Sequence, residues 1–260
     1  MDTDNVDELF ARTLEGEYDD DRPWEAVTAL RFAGTREIFE RAADWCASAD
    51  PLKRARGADI IAQIGKTAGH HENAFPAESL ALMSRMAETE ESTMPLVSSI
   101  AALGHLDDPI AIPSIVRHYA HADSRVRFAV ACALGCFPDD PAAIEVLLKL
   151  TADTDADVRD WATFGVGVQG DGDSNEIRDA LMLRLADQDQ DTREEAILAL
   201  AKRKDRRVLP ALLKLLRTPS GRAIEAASFM LDAEDERSEE DWTPEQYIAA
   251  LKERFPSHQR

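Results

Sequence analysis

Apolar residues recur at three- and four-residue spacing along nearly the whole chain, the period of a helix that buries one face. Val6, Leu9, Phe10 and Leu14 share one face of a segment over residues 5–15. An acidic stretch from Glu15 to Asp21 separates it from a segment opening at Pro23, where a first helical turn tolerates proline, with Trp24, Val27, Leu30 and Phe32 following. Residues 35–48 and 51–65 form a helix pair broken at Ala49-Asp50-Pro51, because proline cannot continue a helix interior. The longest non-periodic connection, residues 66–76, includes His70-His71-Glu72. The pattern then predicts first helices over about 77–88, 109–121, 141–151, 175–186 and 207–217. Their second helices cover about 93–104, 124–135, 156–168, 190–202 and 220–231. Thr243-Pro244-Glu245-Gln246 reads as an N-cap, a first-turn proline and a capping-box glutamine, opening a final helix over 244–254. Alternating strand patterns with hairpin turns are absent.

Within this pattern one phrase returns. Val126-Arg127-Phe128-Ala129-Val130-Ala131-Cys132-Ala133-Leu134-Gly135 is echoed by the segment from Val158-Arg159 to Val166-Gly167, and again by that from Thr192-Arg193 to Leu200-Ala201. The closing small residues, Gly135, Gly167 and Ala201, lie 32 and 34 positions apart. A fixed period in that range marks stacked helical units. Such an array presents surfaces more readily than chemistry.

The repeated segments resemble HEAT repeats, of the short HEAT-like kind named after phycobilisome lyases. That pattern has an Asp-rich turn, Val-Arg, alanines and Leu-Gly. It is carried here by Asp123-Ser124-Arg125-Val126-Arg127, Asp155-Ala156-Asp157-Val158-Arg159 and Asp189-Gln190-Asp191-Thr192-Arg193. Weaker copies are marked by Arg56 with Ile64-Gly65, by Leu103-Gly104, and by Arg222 with Ala226-Ala227 and Leu231. The resemblance covers about residues 35–231 and implies an all-α, right-handed superhelix of about six helix pairs. Residues 1–34 would supply N-terminal capping helices, and 232–260 an acidic linker with a C-terminal capping helix. It further implies a structural ladder between neighbouring repeats, drawn from Asp123, Arg127, Asp157, Arg159, Asp191 and Arg193.

Charge narrows the function. Lys and Arg number 30 and Asp and Glu 50, a formal net charge of −20. That disfavours nucleic-acid backbone and anionic membrane, and favours a basic partner. It also argues against the alkylation-repair glycosylases built on related repeats, which need a basic groove. Three cysteines, no basic-apolar leader and no apolar run of membrane length point to the cytoplasm.

The chemistry-bearing motifs dissolve on inspection. Asp153-x-Asp155-x-Asp157, Asp171-x-Asp173-x-Asn175 and Asp187-x-Asp189-x-Asp191 resemble calcium loops. Each lacks the glycine at position six and the glutamate at position twelve that an EF-hand requires. Cys132 and Cys136, with His105, do not have zinc-ligand spacing. No catalytic residue, metal site or cofactor is expected.

What remains is positional. In the resembled repeats, the third, fourth, seventh and eleventh residues of the phrase line a concave face. Here those are Phe128, Cys132 and Cys136, then Asp160, Trp161, Phe164 and Val168, then Glu194, Glu195 and Leu198. Flanking copies add Asp59, Val97, Ser98, His105 and Glu225. Aromatic side chains ringed by carboxylates would anchor and select a cationic partner. The alternative is that Phe128, Trp161 and Phe164 fill the core between irregular repeats. The expected function is therefore a non-enzymatic scaffold or adaptor binding a basic segment of another protein. The resemblance supplies one alternative, an enzyme or enzyme subunit of the phycobilin-lyase type acting on a tetrapyrrole-carrying protein.

Overall fold

The computed structural model describes residues 3–218, 220–232 and 242–256, so most of the expected acidic linker lies outside the described residues. Within them the regular elements are helices joined by turns and loops, with an isolated bridge between Thr67 and His70 in the long connection. No described helix is long and apolar enough to cross a membrane. The chain divides between Phe137 and Pro138 into two compact units.

The first unit holds α1 (Thr3–Arg12), α2 (Asp21–Ala33), α3 (Arg36–Cys46), α4 (Pro51–Ala62), α5 (Pro76–Thr89), α6 (Thr93–Leu106), α7 (Ile112–Val116) and α8 (Ser124–Gly135). The second helices α4, α6 and α8 pack side by side, with α3 against α4 and α5 against α6. Ile60, Ile61, Ile100, Leu103, Val130 and Leu134 are buried between these layers. The Leu-Gly ending has a packing cause: a Cβ on Gly104 would lie 2.8 Å from Ala133 Cα, so α6 and α8 touch only because that atom is missing.

The second unit holds α9 (Pro141–Leu150), α10 (Ala156–Phe164), α11 (Asn175–Arg184), α12 (Gln190–Lys202), α13 (Leu209–Leu215), α14 (Gly221–Leu231) and α15 (Pro244–Arg254). Here α10, α12 and α14 stack, and α15 packs on α14. The expected capping box is present, with the Thr243 hydroxyl accepting from the Gln246 amide and the Gln246 side chain accepting from the Thr243 amide.

Aspartates cap five of the α-helices. Asp50, Asp123, Asp140, Asp155 and Asp189 each sit in extended backbone, and each carboxylate accepts an amide of the first turn. Two first helices are shorter than their periodicity suggests. Pro109 and Pro113, and likewise Pro210, remove amide donors, so α7 and α13 each follow a single 3-10 turn, over Pro109–Ala111 and Arg206–Val208.

Of the arginines expected in the ladder, Arg159 bonds across to the next repeat, and Arg127 and Arg193 bond to the turns before their own helices. Arg159 donates from Nε and Nη2 to Asp187 at 2.9 and 2.8 Å, and from Nη1 to the Asp153 carbonyl at 3.0 Å. Arg193 donates to the Asp187 carbonyl at 2.8 Å and Arg127 to that of His121 at 2.8 Å. Each arginine thus ties down the turn before its own helix. Asp157 and Asp191 take no part, because both lie one turn-step inside the helix and face solvent. Asp187, which also accepts from Arg184 at 2.8 Å, is the carboxylate that joins Arg159 to the next repeat. Asp123 caps α8 and pairs with Arg125. In the first repeat Arg54, two positions before the repeat marker Arg56, clamps Glu90 at 2.7 and 3.0 Å.

The predicted helix over 156–168 changes character at its end. Residues Gly165–Gln169 form a π-helical turn, closed by the Gly170 amide bonding to the Gly165 carbonyl at 3.2 Å. A Cβ on Gly167 would stand 2.6 Å from that of Ala199, so the turn presses directly on α12. Its loosened carbonyls converge on one side chain. Arg203, buried, donates to the carbonyls of Gly172 at 2.9 Å, Val166 at 3.0 Å, Gly170 at 3.1 Å and Ala199 at 3.0 Å, and also to that of Gly167.

Candidate functional site

On α10, residues three and four apart share a face. Trp161 and Phe164 meet edge to face, ring centroids 5.9 Å apart. Trp161 remains 41% exposed and Phe164 half-buried, so the tryptophan is not core filling. Asp160 stands beside them, with its Oδ1 shut away from solvent and without a hydrogen-bond partner. Burial, with Asp191 and Asp189 nearby, lifts its carboxyl from 3.8 to about 6, against the pull of Arg222.

That shift has a definite sign. A carboxyl whose folded pKa is raised is a liability when ionised, and the cost accrues as pH rises from about 4 through 6. Asp160→Asn should therefore stabilise the protein at pH 7.5 by about 1 kcal/mol, allowing for solvent screening of a half-exposed group. The gain should vanish near pH 4. Urea titrations at the two pH values test this, and a variant no more stable than the parent at pH 7.5 would remove the assigned strain.

The α12 residues lie differently from expectation. Glu194 and Glu195 are 8% and 2% exposed and Leu198 4%, because α12 is held between α10 and α14. They are not free surface charges. Glu194 accepts from Gln190 Nε2 at 2.8 Å and Ser220 Oγ at 2.7 Å. Glu195 Oε1 pairs with Arg222, while its Oε2 is buried without a hydrogen-bond partner. Arg222, Ser220 and Gln190 are the site residues that sequence reasoning missed; Arg222 stood out only as a repeat marker.

In the first unit Phe128 and Cys132 are half-buried and Cys136 is exposed. Burial pushes the Cys132 thiol up to about 12, and partial desolvation with the nearby Asp107 carboxylate raises that of Cys136, which keeps both protonated and poorly nucleophilic. Among the described residues no cluster of His, Cys, Asp or Glu is arranged to hold a metal. The flanking positions Asp59 and Ser98, expected to line an open face, are buried. The chain itself covers them. Tyr18, from the acidic connection between α1 and α2, donates its hydroxyl to Asp59 at 2.8 Å and lies 2.9 Å from Ser98 Oγ. Arg56, 1% exposed, completes the cover. It donates to the carbonyls of Thr13 at 2.9 Å and Tyr18 at 2.7 Å, with its guanidinium 4.2 Å from the Tyr18 ring and 5.1 Å from that of Trp24. Burial raises the carboxyl of Asp59 despite these partners.

Comparison with known proteins places this arrangement. The family model for HEAT repeats matches residues 80–167 and 153–232. Protein YibA of Escherichia coli K12 is 30% identical over 236 residues, covering 88% of this chain and 81% of YibA. The crystal structure of E. coli YibA superposes with a TM-score of 0.73 at 26% identity, covering 95% of this chain and 92% of that one. An engineered protein matches with a TM-score of 0.52 at 20% identity, covering 83% and 96%, a likeness of fold alone. The repeat period, the arginine ladder and these matches agree: the chain belongs to the HEAT-repeat family.

Proposed function

We propose that the chain is a protein-binding scaffold whose second unit docks a basic segment of another protein on the face carrying Asp160, Trp161 and Phe164. The observation that carries this reading is the 41% exposure of Trp161 beside carboxylates that the fold leaves incompletely paired. A large aromatic costs little rotamer entropy to immobilise and supplies contact area. The surplus of acidic residues speeds encounter with a cationic partner. Glu194 is fully occupied within the fold, so selection by charge falls to Asp160 and Glu195.

The reading is tested with Trp161→Ala. Binding to partners recovered from native lysate, or to a synthetic basic peptide, should weaken by about 2 kcal/mol or more, the size of an interface hot spot. Melting should change less than binding, because the indole is 41% exposed. An earlier melt with unchanged affinity would make the aromatic pair a packing element and move the docking surface elsewhere.

A further inference from the structure

In a chain with 50 acidic and 30 basic residues, one stretch reverses the balance: from Lys202 to Arg217, seven of sixteen residues are Lys or Arg and one is acidic. The fold uses part of this surplus. Arg203 is buried, and Lys202, Lys204 and Arg207 pair with Asp171, Asp232 and Asp205. Part of the remainder stands at a groove of about 960 Å³ between α13 and the end of α15. Half-buried Leu209 and Leu213 on α13 line it, as do Phe255 and Pro256 following α15. Arg206, Lys252 and Arg254 line it too, and no carboxylate does; Glu253, between two of these cations in sequence, is not part of the lining. Arg254 is paired with Asp232. Arg206 and Lys252 are exposed and have no ion pair with any carboxylate among the described residues. The Arg206 guanidinium lies 5.2 Å from the Phe255 ring, a contact that leaves its positive charge in place.

We infer that this groove docks an acidic amphipathic segment of another protein, with apolar side chains between the walls and carboxylates on Arg206 and Lys252. The groove shares no residue with the Asp160 face and stands independently of the function proposed for that face. Its volume holds several side chains, more than a single small ion fills. Covering Leu209, Leu213 and Phe255 removes apolar surface from water, which only an apolar occupant rewards. The net charge of −20 repels anions at a distance, but at physiological salt that field decays over about 8 Å, so the local cations govern contact. A bilayer or a nucleic-acid backbone is a broad anionic surface and would meet the carboxylates of the rest of the chain as well. A single segment narrow enough for the groove avoids them. A second copy of the chain would bring its own charge of −20 to the contact.

The test uses the full chain and a fluorescently labelled, helix-forming peptide of about 15 residues, with leucines at three- and four-residue spacing and glutamates elsewhere. Anisotropy gives the affinity. The methyl resonances of Leu209 and Leu213, assigned with Leu209→Ile and Leu213→Ile, give the place. The peptide should shift those methyls and bind at least about tenfold tighter than its counterpart with alanine for leucine. A counterpart with lysine for glutamate should leave the methyls where they are. Arg206→Gln with Lys252→Gln alters two exposed side chains, so the fold should stand, and binding should weaken at least about fivefold with a flatter salt dependence. Trp161→Ala should leave this affinity unchanged, whatever it does to binding of a basic segment. Equal affinity of the alanine peptide would reduce the groove to a charged patch and overturn the inference. So would a double variant that binds like the parent, or Leu209 and Leu213 methyls that do not move. Binding to phosphatidylserine vesicles without binding to the peptide would overturn it in favour of a membrane contact.

Discussion

Replacing Arg203 with Met should lower the stability of the second unit by about 3 to 5 kcal/mol, among the largest effects of any single substitution in this chain. The side chain is 8% exposed and satisfies carbonyls of Val166, Gly167, Gly170, Gly172 and Ala199. Methionine fills similar space and donates nothing, so several buried carbonyls lose their partners together. Arg203→Lys should recover little, because one ammonium cannot span carbonyls spread along a π-helical turn. The midpoint of a urea transition measures the loss. Hydrogen exchange locates it, with protection falling first at the Gly170 amide. A lysine variant as stable as the parent would show that charge alone, without the fork, holds the turn.

Arg56→Met should cost about the same, about 3 to 5 kcal/mol, by leaving the buried Asp59 carboxyl with Arg31, which bonds the Asp59 main-chain carbonyl, as the remaining nearby guanidinium. It also strips donors from the carbonyls of Thr13 and Tyr18. Here pH separates the causes. Burial already raises the Asp59 carboxyl, and loss of Arg56 raises it further, since Arg56 pulls it down. A carboxyl with a raised folded pKa destabilises more as pH climbs. The deficit of the variant should therefore be larger at pH 7.5 than at pH 5. Arg56→Met combined with Asp59→Asn should recover part of it, a non-additivity expected of residues in one network. Additive losses with no pH dependence would mean that Arg56 acts only through its packing and its carbonyl bonds.

The periodicity of apolar residues was enough to place nearly every helix, and the aspartate and proline positions were enough to place most starts. Both are local: a helix face is counted along one segment, and an N-cap is made within three residues. The Val-Arg phrase likewise carried its ladder arginines, because Arg127, Arg159 and Arg193 bond mainly to the turn just before them. At the ends of the array local rules gave out. Arg54 and Arg56 both fit the degenerate first copy, and only their partners separate them, Glu90 for one and the Tyr18 cover for the other.

The binding face was half legible for the same reason. Trp161 and Phe164 follow from spacing on α10. The burial of Glu194 and Glu195 does not, since it is made by Ser220 and Arg222 on the neighbouring repeat. Asp59 and Ser98 sit at face positions by count, yet Tyr18, 41 and 80 residues away, closes over them. A period along the chain states which side of a helix a residue occupies. Whether that side meets water depends on which distant segment lies against it, and that is settled by packing.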